Sequence, residues 1–176
     1  MKEPLDILKE FWKYDQFRSP QDEIIDASLN NQDVLALLPT GAGKSICYQI
    51  PALARNGVCL VISPLIALMK DQVQQLEKRG VNSSAIYTGL KEPEIDRILN
   101  NSVSGHTQLL YISPERLASK RFLIGLKTLH VSMLAIDEAH CISQWGFDFR
   151  PSYRNIASIR ELFSTIPIIA LTASAT

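Results

Sequence analysis

The apolar positions of the chain follow first one spacing and then another. Leu5, Leu8, Phe11 and Trp12 fall at helical intervals. After a polar break, Ser19 and Pro20 precede a second helical stretch over residues 21–29, with Ser19 expected as its N-cap and Pro20 in its first turn. Beyond it, short β-rich runs recur at residues 34–38, 58–62, 84–87, 108–112, 133–136 and 167–171. Nearly all are continuously apolar instead of alternating with polar residues, the pattern of parallel strands covered on both faces. Helical stretches separate them, at residues 44–55, 65–79, 93–100, 122–126 and 152–163. Strand alternating with helix predicts an α/β fold: a mostly parallel sheet with helices on both faces. In such a fold a ligand sits beyond the C-terminal ends of the strands.

Composition narrows the reading. The 176 residues, 46% of them apolar, suffice for one domain with a core, and no repeat, low-complexity tract or linker divides them. Residues 1–176 are therefore expected to form one domain with a short helical extension at 1–30. No apolar run approaches the roughly 18 residues of a membrane helix. The opening Met1-Lys2-Glu3-Pro4-Leu5 lacks the apolar centre of a secretory signal, so an intracellular protein with no membrane partner is expected. Cys47, Cys59 and Cys141 are odd in number and form no CxxC pair, which argues against a disulfide framework or a zinc site. Basic and acidic residues number 18 each, so overall charge supplies no argument for a nucleic-acid partner. The chain stops directly after an apolar run and reads as cut there.

The chemistry lies at strand ends. Leu38-Pro39-Thr40-Gly41-Ala42-Gly43-Lys44-Ser45 leaves the first strand and opens a helix, the setting of a phosphate-binding P-loop. Gly41 and Gly43 let backbone N–H groups converge on phosphate, with Thr40 and Ala42 in the same loop and the helix N-terminus behind them. Lys44 would reach the β- and γ-phosphates and Ser45 would ligate Mg²⁺. The generic pattern begins with glycine, where this chain has Leu38. The strand over 133–136 runs into Asp137-Glu138-Ala139-His140, two adjacent carboxylates that need a cation. Asp137 is suited to hold Mg²⁺ and Glu138 to activate water as general base. Taken singly, the first motif could be a glycine turn before a surface lysine, and the acidic pair a helix cap.

In order and spacing, the P-loop, the DEAH tetrapeptide and the terminal Thr172-Ala173-Ser174-Ala175-Thr176 resemble superfamily 2 helicases. Within that superfamily the chain resembles the first RecA-like, P-loop NTPase domain of RecQ-type DNA helicases. The residues that carry this are Phe17-Arg18-Ser19-Pro20-Gln21, Cys47-Tyr48-Gln49-Ile50-Pro51-Ala52, the run from Ser63-Pro64-Leu65 to Lys70-Asp71-Gln72, and the run from Cys141-Ile142-Ser143 to Phe149-Arg150-Pro151. The resemblance implies ATP as nucleotide, with Tyr14 and Arg18 stacking on adenine and Gln21 reading its edge, an arrangement suited to a purine. Read from the residues alone, Tyr14 and Phe17 are a hydrophobic anchor and Gln21 a helix-surface residue.

Four aromatics, Trp145, Phe147, Phe149 and Tyr153, crowd the segment after DEAH without helical or alternating spacing. By composition this is either a loop carrying function or a satellite hydrophobic cluster. The resemblance implies an aromatic loop that couples single-stranded DNA to hydrolysis through Gln144, Trp145, Phe147, Phe149 and Arg150, with His140 between it and the carboxylates. Ser63, Lys70 and the run Ser113-Pro114-Glu115-Arg116 are further candidates for contacts to DNA phosphates. It also implies 3′-to-5′ translocation on single-stranded and forked DNA, a second RecA-like domain, and a cytoplasmic, nucleoid-associated location in a bacterium or a nuclear one in a eukaryote. An RNA helicase of the DEAD/DEAH groups and a nucleotide-switched binding module are the rival expectations.

Overall fold

The computed structural model describes residues 1–143 and 150–174. Six strands, β1 (Val34–Leu37), β2 (Val58–Ile62), β3 (Ser83–Ile86), β4 (Leu109–Ile112), β5 (Val131–Ile136) and β6 (Ile168–Thr172), form one sheet in the order β1-β6-β5-β2-β4-β3. Every pairing is parallel. The helices are α1 (Pro4–Ile7), running into a π-helical turn at Leu8–Trp12, then α2 (Gln21–Leu29), α3 (Lys44–Ala54), α4 (Ile66–Lys78), α5 (Glu92–Val103), α6 (Lys120–Leu126) and α7 (Ile156–Leu162).

Alternate strand residues explain why both faces of the sheet are filled. Cys59 and Val61 of β2, with Tyr111, Met133 and Ala135 of its neighbours, pack against Ile25 of α2, Cys47 and Ile50 of α3, and Met69 and Leu76 of α4. Val58, Leu60 and Ile62, with Leu110, Ile112, Leu134 and Ile136, face Ile95 of α5, Phe122 and Leu126 of α6, and Ile156 and Ile159 of α7. Side chains point to opposite faces at a period of two, so a continuously apolar strand feeds two cores. All three cysteines are buried, and burial pushes the Cys47 thiol up to about 12, which keeps it protonated and unreactive.

Three expectations need correction. The first strand is an edge strand covered on one face only: Ala36 is buried, but Leu35 and Leu37 are 75% and 56% exposed. Ser19 does not cap α2; Pro20 occupies the flanking position and no side-chain cap bond forms. The stretch over 152–163 is not one helix, because a 3₁₀ segment at Pro151–Asn155 precedes α7.

Leu60 is fully buried in β2. Leu60→Ala should lower stability by about 2–5 kcal/mol, the usual cost of a core cavity, read as a lower urea midpoint at unchanged slope.

Candidate nucleotide site

The site forms where β1, β6 and β5 end side by side. Leu38 is buried in the core beneath α3 and donates its N–H to the Thr172 carbonyl at 3.0 Å, so the P-loop leaves the sheet already fixed to β6. Here a core side chain replaces the glycine of the generic pattern. Gly41 (φ 84°) and Gly43 (φ 75°) take the left-handed conformations that turn the backbone into α3.

Gln21 lies against this turn with only 3% of its surface exposed. Its Nε2 donates to the carbonyls of Ala42 at 3.1 Å and Gly43 at 3.3 Å, and its Oε1 accepts from the Arg18 N–H at 2.9 Å. A Cβ at position 43 would collide with Gln21 Nε2. Gln21 thus braces the loop from behind. Tyr14, Arg18, Gln21, Gly41 and Gly43 line one cleft of about 490 Å³, with the Tyr14 ring half exposed at its rim. Such a cleft has the size of a nucleotide-base site. Thr40 is exposed at the turn.

Across the gap, Asp137 and Glu138 end β5. The Asp137 N–H is held by the Ile62 carbonyl, and Tyr153 donates its hydroxyl to the Asp137 carbonyl at 3.1 Å. Glu138 has a left-handed backbone (φ 51°), a strained conformation for a side chain of its size, which aims its carboxylate at the P-loop. Glu138 Oε1 lies 3.7 Å from Lys44 Nζ, and Glu138 Oε2 lies 3.3 Å from His140 Nδ1. The same Nδ1 is 2.9 Å from Thr172 Oγ1, whose hydroxyl donates onward to the Ser174 carbonyl at 2.9 Å. With a carboxylate and an occupied hydroxyl facing it, Nδ1 is the protonated nitrogen. His140 therefore ties the acidic pair to the end of β6.

Burial, and next the Glu138 carboxylate, raise the Asp137 pKa above its ordinary value, while the Glu138 N–H, Lys44 and His140 work against the rise. A desolvated carboxylate beside a second one, within electrostatic reach of Lys44 of the P-loop, suits a small hard cation. No cluster of three metal-binding side chains exists among the described residues. Mg²⁺ needs none, since it is usually held by one or two protein oxygens, phosphates and waters.

Other candidates lie differently. The Arg116 guanidinium does not face outward for a phosphate; it donates to the carbonyls of Tyr87 (3.1 and 2.9 Å) and Leu90 (3.0 Å) and braces the loop before α5. Ser63 is buried, and its N–H is taken by the Ile112 carbonyl. Lys70 sits over the Tyr87 ring at 5.0 Å. Arg150 is half-buried and its N–H reaches the Cys141 carbonyl. Gln144, Trp145, Phe147 and Phe149 lie outside the described residues, as do Ala175 and Thr176 of the terminal motif. Thr172 and Tyr153 are contributors that sequence reasoning missed, one lost in a small-residue strand end and the other read as a loop aromatic.

A parallel sheet with a glycine-lysine loop on one strand end, and an acidic pair two strands away pointing back at that lysine, defines a P-loop nucleotide hydrolase. Residues 18–176 match the DEAD/DEAH box helicase family. The chain belongs to that family, and membership implies ATP as its nucleotide. It is 52% identical over 172 residues to the ATP-dependent DNA helicase RecQ of Bacillus subtilis and 47% identical over 171 residues to that of Haemophilus influenzae, each match covering 97% of this chain. The chain spans 29% and 28% of the length of those relatives. Among solved structures, the fold matches the DUF1998 helicase MrfA bound to DNA and AMPPNP (TM-score 0.78, 18% identity, all of this chain and 27% of that one). It also matches a hypothetical ATP-dependent RNA helicase from Sulfolobus tokodaii (TM-score 0.72, 21% identity, 99% of this chain and 51% of that one). No helix among the described residues is long and apolar enough to cross a membrane.

Two outcomes follow from this geometry. Gly43→Ala should weaken nucleotide binding at least tenfold in a fluorescent-nucleotide titration, and adding Gln21→Ala should recover only part, because the positive φ remains strained. Asp137→Asn should raise the melting temperature at pH 7 in metal-free buffer. The sign follows from the raised pKa: the native state holds the Asp137 proton to higher pH than the unfolded chain, so stability falls as pH rises through that window. The asparagine variant escapes that loss, and its advantage should vanish in acid, below the ordinary aspartate range.

Proposed function

We propose that the chain is the first motor domain of a RecQ-type DNA helicase, which couples Mg²⁺-ATP hydrolysis to 3′-to-5′ movement along single-stranded DNA and to unwinding of forked duplexes. The observation that carries this reading is the 3.7 Å approach of Glu138 to Lys44, which puts a candidate base beside the group that meets the γ-phosphate. The identity to named RecQ helicases supports the choice of DNA within the family.

On this reading Tyr14 and Arg18 take the base, Gln21 fixes the loop, and the Gly41 to Gly43 backbone and Lys44 take the phosphates. Ser45 and Asp137 would hold Mg²⁺, which when bound supplies charge neutralisation on the phosphate oxygens. Lys44 leaves Glu138 for the phosphate, and Glu138 is then free to accept a proton from the attacking water. His140 carries the change at Glu138 to Thr172. Gln144, Trp145, Phe147, Phe149 and Arg150 would couple DNA to this site. A second RecA-like domain would supply an arginine finger, whose loss costs on the order of 10³ to 10⁵ in rate, so the 176-residue chain alone should hydrolyse ATP barely.

In the full-length protein, Glu138→Gln should cut ATP hydrolysis by about 10² to 10⁴ while nucleotide binding persists. Stimulation of the wild type by single-stranded DNA should exceed that by RNA. Equal stimulation, or hydrolysis that survives Glu138→Gln, would overturn the reading.

A further inference from the structure

The peptide that joins Asp137 to Glu138 is held on both sides, and one of the holders comes from a distant element. The Tyr153 ring is 1% exposed, in the core on the α7 side of the sheet, and its hydroxyl donates to the Asp137 carbonyl at 3.1 Å. That carbonyl shares a rigid plane with the Glu138 N–H, which donates to Asp137 Oδ1 at 3.0 Å. One plane therefore carries a pinned oxygen on one side and the anchor of the Asp137 carboxylate on the other. The Asp137 N–H is tied separately, to the Ile62 carbonyl of β2 at 2.9 Å.

This plane needs holding. Glu138 has φ 51° and ψ 49°, a left-handed conformation that is costly for a long side chain. Turning the peptide over, with the chain on either side left in place, would carry the Glu138 φ into the negative range that residues with side chains ordinarily occupy. The turn would relieve the strain, but it would take the N–H away from Asp137 Oδ1 and set a carbonyl oxygen against the carboxylate. Two hydrogen bonds oppose it. The one from the Glu138 N–H ends on a carboxylate that a cation would also attract, whereas the one from Tyr153 does not involve the carboxylate at all.

We infer that Tyr153 is a positioning residue of the nucleotide site: its hydroxyl holds the 137–138 peptide against the strain at Glu138, so that the Glu138 N–H fixes one oxygen of Asp137 and leaves the second for the metal. The inference rests on the reading of Asp137 as a Mg²⁺ ligand. Groups that orient a metal ligand from behind change metal affinity by roughly 10- to 100-fold when removed.

The test uses Tyr153→Phe in the full-length protein, which removes the hydroxyl and keeps the ring. In binding of a fluorescent ATP analogue across a Mg²⁺ titration, the half-maximal Mg²⁺ concentration should rise about tenfold or more, with affinity in EDTA unchanged. In metal-free buffer, residue-resolved hydrogen exchange should show the Glu138 amide exchanging about tenfold faster, while the Asp137 amide, held by β2, keeps its rate. Glycine tolerates a positive φ, so in a Glu138→Gly background Tyr153→Phe should shift the Mg²⁺ midpoint much less. An unmoved midpoint in the otherwise wild-type protein overturns the proposal. Equal acceleration of both amides overturns it too, since the strand end would then have loosened as a whole, and so does an equal midpoint shift in both backgrounds. If Tyr153→Phe does not fold, replacement of Tyr153 by 4-methylphenylalanine, which fills the volume without a donor, is compared with replacement by 4-aminophenylalanine, which keeps one. The first should raise the midpoint and the second restore it; equal midpoints, or failure of both to fold, overturn the proposal. A wild type that binds no nucleotide, or binds it without regard to Mg²⁺, overturns the function reading itself, an outcome distinct from a wild-type Mg²⁺ dependence that the variants leave unmoved.

Discussion

Two carboxylates end a strand that is buried along its whole length, and the neighbourhood is arranged to meet that charge. Asp137 is desolvated and lies beside a like charge, which would be costly without compensation. Lys44 comes from the loop after β1, His140 from the turn after β5, and the Tyr153 hydroxyl fixes the Asp137 backbone. Each partner arrives from a different element, so the sheet order that places β6 between β1 and β5 is what lets the charges meet. The balance is incomplete, and an incompletely compensated acidic pair is a standing attraction for a cation. Stability and ligand affinity are therefore set against each other at Asp137.

The parts legible in the sequence were those whose physics is local. The P-loop could be read because its glycines, lysine and serine act within one strand-turn-helix unit, and the acidic pair because both residues follow one apolar run. Strand and helix positions were legible because the central strands feed cores on both faces. What could not be read depends on separation in sequence. Thr172 acts on His140, Tyr111 on Tyr48, and Arg116 on the carbonyls of Tyr87 and Leu90, and no spacing rule joins such pairs. The exposed leucines of β1 illustrate the limit from the other side. A continuous apolar run predicts burial on both faces, yet only the position of the strand in the sheet decides whether a second layer exists to provide it.

Gln21 changes the meaning of its own motif. The family resemblance implies a reader of the base, whereas in the fold its amide nitrogen is committed to the carbonyls of Ala42 and Gly43. One side chain therefore touches both the wall of the cleft beside Tyr14 and Arg18 and the glycine loop. Gly43 is needed for its positive φ and again because any side chain there would displace Gln21.

The pairing of β1 sets an order of events during synthesis. Among the described residues its one partner in the sheet is β6, with Val34 aligned to Ile169, and Asp33 reinforces the start of that pairing by accepting the Ile168 N–H at 2.9 Å and meeting Arg160. β2, β3, β4 and β5 can pair among themselves as the chain leaves the ribosome, but β1 finds its place only after β6 has been made. Contacts this distant in sequence form late because the loop between them must close first. The nascent protein thus carries an unpaired apolar strand ahead of its P-loop until β6 has been made. That interval is when association with a chaperone or with another nascent chain matters most.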